Sequence, residues 1–251
     1  LDVQLISVTE QYAQYAVAGP KSRQLLEKLV DKGVDISNAA FPFMACGEIS
    51  VCGGVKARLF RISFSGELAY EIAVPARYGD SLIRALMAAG EEFGVTAYGT
   101  EALGVMRVEK GHVAGNELNG QTTARQMGLG HMVSQNKDSI GLVLSRRPEM
   151  VRDDDYELVG LKPVDVNNRL TAGAHFIALD TSCNAENDQG WVTSVAHSPH
   201  LNSAIGLGYI RRGSSRHGDI VRAIDLLGKQ DIRVELCSPH FIDPEGERLH
   251  G

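Results

Sequence analysis

The chain has 251 residues, 43% hydrophobic and 22% charged, enough to bury a sizeable core as one large domain or two smaller ones. Its net charge of −6 is uneven: residues 151–251 carry 15 acidic against 10 basic side chains, and residues 1–150 carry 16 against 15. Neither part offers the broad basic surface duplex nucleic acid demands, and no apolar run nears the roughly 20 residues of a membrane span, so neither nucleic acid nor membrane is an expected partner. The opening stretch LDVQLISVTE lacks the basic and apolar regions of a secretory signal and an initiator Met, which suggests a processed or excised piece. Cys46, Cys52, Cys183 and Cys237 form no C-x-x-C pair and no zinc-finger spacing. Reduced, mostly structural thiols in the cytoplasm are therefore expected.

In chain order, Val3–Thr9 and Tyr12–Val17 read as strands. Gly19-Pro20 opens a helix over Lys21–Val30, with Leu25, Leu26, Leu29 and Val30 at helical spacing. A hairpin follows, Cys46–Cys52 and Val55–Phe64, turning at Gly53-Gly54. Leu68–Val74 is a strand stopped by Pro75, and Asp80–Phe93 is an amphipathic helix. This order suggests an α+β sandwich resembling a ferredoxin-like unit. Thr100 can cap a helix running to about Lys110, ended by Gly111.

After the acidic run Asp153–Asp155 the texture changes. Glu157–Leu161, Gly173–Leu179, Trp191–Ser198, Ala204–Tyr209, Ile220–Leu226 and Asp231–Leu236 are short strands at close spacing, punctuated by Gly, Asn and Pro. That pattern predicts an all-β barrel or sandwich. The expected domains are 1–152 and 153–251.

Chemistry concentrates in Arg61–Pro75. Alternation along the strand puts Leu68, Tyr70, Ile72 and Val74 on one face and Glu67, Ala69, Glu71 and Ala73 on the other. Two carboxylates beside small alanines leave a shallow space where a flat heterocycle rich in N–H donors, such as a pterin, would fit, because a carboxylate accepts two N–H bonds from an aminopyrimidine edge. The plainer reading is a solvent-facing strand side. On the helix ending at Gly111, Leu103, Met106 and Arg107 share a side. Arg107 then pairs with an acid in a ligand site or, more simply, in an internal salt bridge. His112, just past the terminating glycine, would contact a ligand or the helix C-terminal carbonyls.

His197-Ser-Pro-His200 has no acid or Cys at ligand spacing, so no metal is expected. The basic loop Arg211–His217 reads as a solvated turn, with an anionic ligand tail or a partner subunit as the sharper alternative. No Ser-His-Asp signature, P-loop or dinucleotide G-x-G-x-x-G occurs. A flavin or nicotinamide therefore finds no evident site here.

Several segments together resemble the glycine-cleavage T-protein (aminomethyltransferase) family. Phe64-Ser-Gly-Glu-Leu-Ala-Tyr-Glu-Ile is similar to its Y-T-G-E-x-x-x-E-I strand, and Met106-Arg-Val-Glu-Lys-Gly111 to its L-R-L-E-x-G helix end. Gly115-Asn-Glu-Leu, Thr122-Thr123 and Gly190-Trp-Val-Thr-Ser-Val-Ala-His-Ser-Pro199 continue the resemblance over nearly the whole chain. Ser7–Arg23 and Tyr98–Gly111 look more narrowly like the C-terminal part of heterotetrameric sarcosine oxidase α subunits. One departure is Leu103, which stands where the T-protein pattern has its first Arg, while Arg107 matches the second.

The resemblance implies an α+β folate-binding aminomethyltransferase fold lacking its N-terminal portion, followed by a C-terminal β-barrel. It implies tetrahydrofolate as cofactor, with Glu71 on the pterin, Glu67 and Tyr70 beside it, and Arg107 and His112 shaping the pocket. The family's upstream Asp near the reactive folate nitrogens has no counterpart in this chain, which by itself is expected to be inactive. Flavin and NAD are expected elsewhere in such a complex, on partners that include a flavin-bearing β subunit. The implied reaction moves the one-carbon unit from oxidative demethylation of sarcosine to tetrahydrofolate, giving 5,10-methylenetetrahydrofolate. The alternatives are a T-protein-like or dimethylglycine dehydrogenase-like aminomethyltransferase, or a non-catalytic scaffold that docks other subunits.

Overall fold

A computed structural model describes residues 2–251. By packing, the chain forms two compact units. One runs to Leu103 and takes in Glu245–Gly251; the other is Gly104–Pro244.

The first unit is a four-stranded antiparallel sheet in the order β1-β4-β3-β2, with β1 Tyr12–Ala18, β2 Cys46–Val51, β3 Val55–Phe60 and β4 Ala69–Pro75. Helices α1 (Ser22–Glu27) and α2 (Gly79–Gly90) share a core with one sheet face. Leu25, Leu26, Leu82 and Leu86 pack there with Leu59, Tyr70, Ile72 and Val74. Each such fully buried aliphatic side chain contributes about 1.5–3 kcal/mol, which ties the helices to the sheet although α1 has fewer than two turns. The strands β2-β3-β4 form a meander, and α1 carries the chain from β1 to β2. β1 is an edge strand with β4 as its only partner among the described residues.

Two expectations in this unit are corrected. Residues 3–8 form no strand: Leu5 and Ile6 are exposed and no strand among the described residues pairs with them, and an extended segment is not held without a partner for its backbone. The helix expected over Lys21–Val30 stops at Glu27. Beyond it Val30 makes a β-bridge to Val51, and Leu29 O accepts from Cys52 N at 2.8 Å. The apolar spacing of Leu29 and Val30 therefore marks core contact but not helix.

Helix α3 (Thr100–Lys110) leads into the second unit. It ends in a Schellman motif: Gly111 N donates to Val108 O (3.1 Å), His112 N donates to Arg107 O (2.9 Å), and Gly111 takes φ +77°. After it come short turns and a six-residue helix, α4 (Ile140–Ser145). The remainder is a closed barrel in the order β10-β5-β8-β7-β6-β9. Its strands are β5 Tyr156–Pro163, β6 His175–Ile177, β7 Gly190–Ser198, β8 Ser203–Arg211, β9 Ile220–Asp225 and β10 Gln230–Cys237. A last short helix, α5 (Glu247–His250), belongs to the first unit. The expected class, α+β followed by a β-barrel, is the observed one.

The barrel buries β8 on both faces. Ile210 joins the cluster of Val159, Leu161, Phe176 and Val234, while Ile205, Leu207 and Tyr209 pack with Val108 of α3. Burial on both sides explains why Ala204–Ile210 reads as a nearly unbroken apolar run and does not alternate.

Candidate functional site

β4 is the central element of the first unit's site. Its core face is as alternation requires, with Tyr70, Ile72 and Val74 fully buried. The opposite face carries Ala69, Glu71 and Ala73, and register sets its neighbours: Ala16 of β1 lies opposite Glu71, Gln14 opposite Ala73, and Phe60 of β3 opposite Glu71 on the other side. This face is only partly covered: Ala69 and Ala73 are buried and Glu71 is half-buried, while Gln14 and Ala16 of the adjacent β1 are exposed. Small residues at 16, 69 and 73 flank the carboxylate on this face, and Gln14 reaches it diagonally from β1.

Gln14 Nε2 donates to Glu71 Oε2, and Glu71 Oε1 has no protein partner among the described residues. Tyr98 stands close enough to sense this charge: burial raises its phenol pKa, and the Glu71 carboxylate raises it further. Gln14 and Tyr98 also line a cavity of about 570 Å³ that follows the open edge of β1. Its body is apolar, with Val17, Leu25, Leu86, Met87, Phe93 and Val95. A half-buried carboxylate with a free acceptor, beside a mostly apolar cavity, is the chemistry that recognises a flat N–H-rich head on an apolar stem.

The other expected residues take different places. Tyr70 faces the core, away from Glu71's side, and its hydroxyl accepts from Arg23 Nε at 2.9 Å. Glu67 Oε1 accepts from Arg248 Nη1 of α5 at 3.2 Å. Arg107 and His112 belong to the second unit. There Arg107 Nη1 donates to Glu117 Oε2 (3.0 Å) and to the His112 carbonyl (3.3 Å), and Nη2 donates to Ser194 Oγ (2.7 Å). Glu117 is 0% exposed and also accepts from Ser194 Oγ (2.6 Å) and Ala114 N (2.9 Å). The Glu117 carbonyl accepts from Tyr209 Oη (3.0 Å) and Thr122 Oγ1 (2.9 Å). This closed network matches the internal salt bridge weighed for Arg107, and it fastens the Gly115–Thr123 segment to β7 and β8.

In the basic loop Arg216 pairs with Asp219 (3.0 Å), and Arg211 stacks on Tyr156. Among the described residues no three His, Cys, Asp or Glu side chains are placed to hold a metal. The cysteines are unpaired with one another, and no helix among the described residues is long and apolar enough to cross a membrane.

Gln14, Tyr98, Glu117 and Ser194 carry the geometry of these two sites without having stood out as candidates. Gln14 shows in the sequence only as a polar residue on an alternating strand, and its link to Glu71 needs the β1–β4 register. Glu117 lies within Gly115-Asn-Glu-Leu, a motif visible in sequence whose buried pairing is not.

An α+β unit followed by a closed six-stranded barrel is the architecture of the glycine cleavage T-protein class. Residues 2–137 match the family model described as GCVT N-terminal domain and residues 157–243 that of the glycine cleavage T-protein C-terminal barrel domain, and the chain belongs to this family. It is 48% identical over its full length to sarcosine oxidase subunit alpha of Rhizobium meliloti, covering 25% of that protein. It is 41% identical, again over its full length, to the subunit of the same name from a Corynebacterium species, covering 26%. The chain thus spans about a quarter of the length of these curated relatives. The solved structure of aminomethyltransferase T of the glycine cleavage system from Bartonella henselae shares the fold, with TM-score 0.72 at 22% identity over 93% of this chain and 60% of that one.

Proposed function

We propose that this chain is the folate-handling part of a sarcosine oxidase α subunit, with its domains at 1–152 and 153–251. The reading rests on family membership and, in the molecule itself, on one observation: Glu71 presents an unpartnered carboxylate oxygen on a half-buried face beside Gln14, Tyr98 and the apolar cavity. Tetrahydrofolate fits this donor set, because the carboxylate would accept the N–H groups of the pterin edge and the apolar walls would take its stem. When bound, folate supplies the nucleophilic nitrogens that accept a one-carbon unit. The protein's own contribution is to bind and orient, holding the head at Glu71 and keeping bulk water from the stem.

In the intact complex, a flavin on a partner subunit would supply the two-electron oxidation of the sarcosine N-methyl group, and tetrahydrofolate held at Glu71 would accept the carbon, so that glycine and 5,10-methylenetetrahydrofolate are the products. The unpaired cysteines agree with a cytoplasmic setting.

The test uses the intact complex. Glu71→Ala should weaken tetrahydrofolate binding on the order of thirtyfold, the worth of a charge-assisted pair of hydrogen bonds. Sarcosine-dependent oxygen uptake should stay unchanged while the carbon appears as free formaldehyde. Wild-type complex that binds no tetrahydrofolate, or a Glu71→Ala complex that binds it as tightly as wild type, refutes the reading; the first result would favour a subunit-docking scaffold.

A further inference from the structure

The cavity beside β1 has a polarity along its length. Gln14 and Tyr98 give it a polar end next to Glu71. From Gln14 the wall follows β1 through Ala16 and Ala18 to the Gly19-Pro20 turn and Lys21. The four strand steps from Gln14 to Ala18 span about 13 Å, so the two ends are separated by roughly the length of two linked aromatic rings.

Among the described residues Lys21 is the only charged one lining the cavity; Leu103, on its wall, adds none. Its Nζ sits 6.0 Å from the ring centroid of Phe93, which lines the cavity too. Lys28 shares that ring at 5.0 Å but is paired with Glu92. Lys21 has no carboxylate partner among the described residues.

The β1 edge adds directional contacts. Gly19 N donates to Leu68 O at 2.8 Å, which makes 17/70, 15/72 and 13/74 the hydrogen-bonded pairs of the β1–β4 register. The N–H and C=O groups of Gln14, Ala16 and Ala18 therefore point to the open edge, into the cavity they line. An elongated ligand lying there meets backbone donors and acceptors along its stem, apolar side chains beneath it and one ammonium at its far end.

Resting on the reading of Glu71 as the anchor of the ligand's head, we propose that Lys21 Nζ pairs with a carboxylate at the tail of the same ligand. The site thereby selects a molecule with a flat N–H-rich head, an apolar aromatic stem and an anionic tail. Tetrahydrofolate, whose stem ends in glutamate, has this form; a bare tetrahydropterin has only the head.

The experiment titrates the intact complex anaerobically with tetrahydrofolate and, separately, with 6-methyltetrahydropterin, following binding by calorimetry. Lys21→Met should weaken tetrahydrofolate binding about three- to tenfold, as expected for one partly screened ion pair, and reduce its salt dependence. It should leave tetrahydropterin binding unchanged, and Lys21→Glu should weaken tetrahydrofolate further. Glu71→Ala should weaken both ligands. Unaltered tetrahydrofolate affinity and salt slope in Lys21→Met would overturn the tail assignment and leave the head assignment standing. A Lys21 effect on tetrahydrofolate with no Glu71 effect on tetrahydropterin would do the reverse. Absence of binding of either ligand to wild type would overturn both.

Discussion

Replacing Glu117 with Ala tests whether the second unit is held by a buried ion pair. Glu117 is 0% exposed and the Arg107 side chain is 13% exposed, so removing the carboxylate strands a guanidinium that water hardly reaches. It also removes the acceptor of Ser194 Oγ and of Ala114 N. Breaking one side of a buried pair costs about 3–5 kcal/mol; Arg107 keeps its bonds to Ser194 and the His112 carbonyl, which places the expectation near the middle, about 4 kcal/mol. Native-state hydrogen exchange of β7 and β8 amides in the intact protein, localised by mass spectrometry, reads this directly. Exchange through barrel opening should speed up on the order of a thousandfold. The double variant Arg107→Met/Glu117→Leu, which removes both charges and keeps apolar volume, should recover at least about 2 kcal/mol of the sum of the single losses. A loss under about 1 kcal/mol in Glu117→Ala, or strictly additive losses in the pair, would refute the network as the fastening of this segment.

Two further outcomes follow from backbone and proton chemistry. Gly190 has φ +146° and a Cβ there would lie 1.9 Å from Tyr209 O, whereas Gly218 at φ +93° has open space around it. Gly190→Ala should lower stability by more than about 3 kcal/mol and Gly218→Ala by about 1 kcal/mol, a contrast visible as a large and a small drop in Tm. Burial lifts the Cys237 thiol from 9.0 to about 11 and the Tyr209 phenol from 10.0 to about 12. Both raised groups keep protons in the folded state that the unfolded chain releases, so their stabilisation is complete below pH 9 and is lost as pH rises through about 11 to 12. Denaturant midpoints should therefore fall across that window, and at pH 8 iodoacetamide should label exposed Cys46 well before Cys237; a flat alkaline profile or equal labelling would contradict the burial.

The barrel was legible because its strands are short, separated by turn residues and apolar on one or both faces; all six expected strands form. The end of α3 was legible for a different reason, since Gly111 is the residue type that the left-handed position of a Schellman motif favours. Alternation also divided Tyr70 from Glu71 correctly. Legibility failed where apolar residues serve something other than periodic structure. Leu29 and Val30 contact the core beyond the end of α1, and Leu5 and Ile6 are apolar without a partner strand. The cavity was out of reach because Gln14 and Tyr98 are far apart in sequence, and only register and chain path bring them to one wall.

Two glutamates show how a carboxylate that holds a protein together differs from one available to a ligand. Both lie in family motifs, Glu117 fully buried and Glu71 half-buried. Glu117 has each oxygen engaged, Oε1 by Ser194 and Oε2 by Arg107 and Ala114 N, so a ligand could bind it only by breaking the chain's own bonds. Glu71 accepts from Gln14 through Oε2 alone, a neutral donor, and leaves Oε1 uncommitted on a face bordered by alanines. Partial burial without full pairing costs free energy in the unliganded state. A ligand that brings its own N–H donors recovers that cost. On this ground we propose Glu71 as the ligand's anchor, whereas Arg107, though it matches a family motif, is already committed to Glu117.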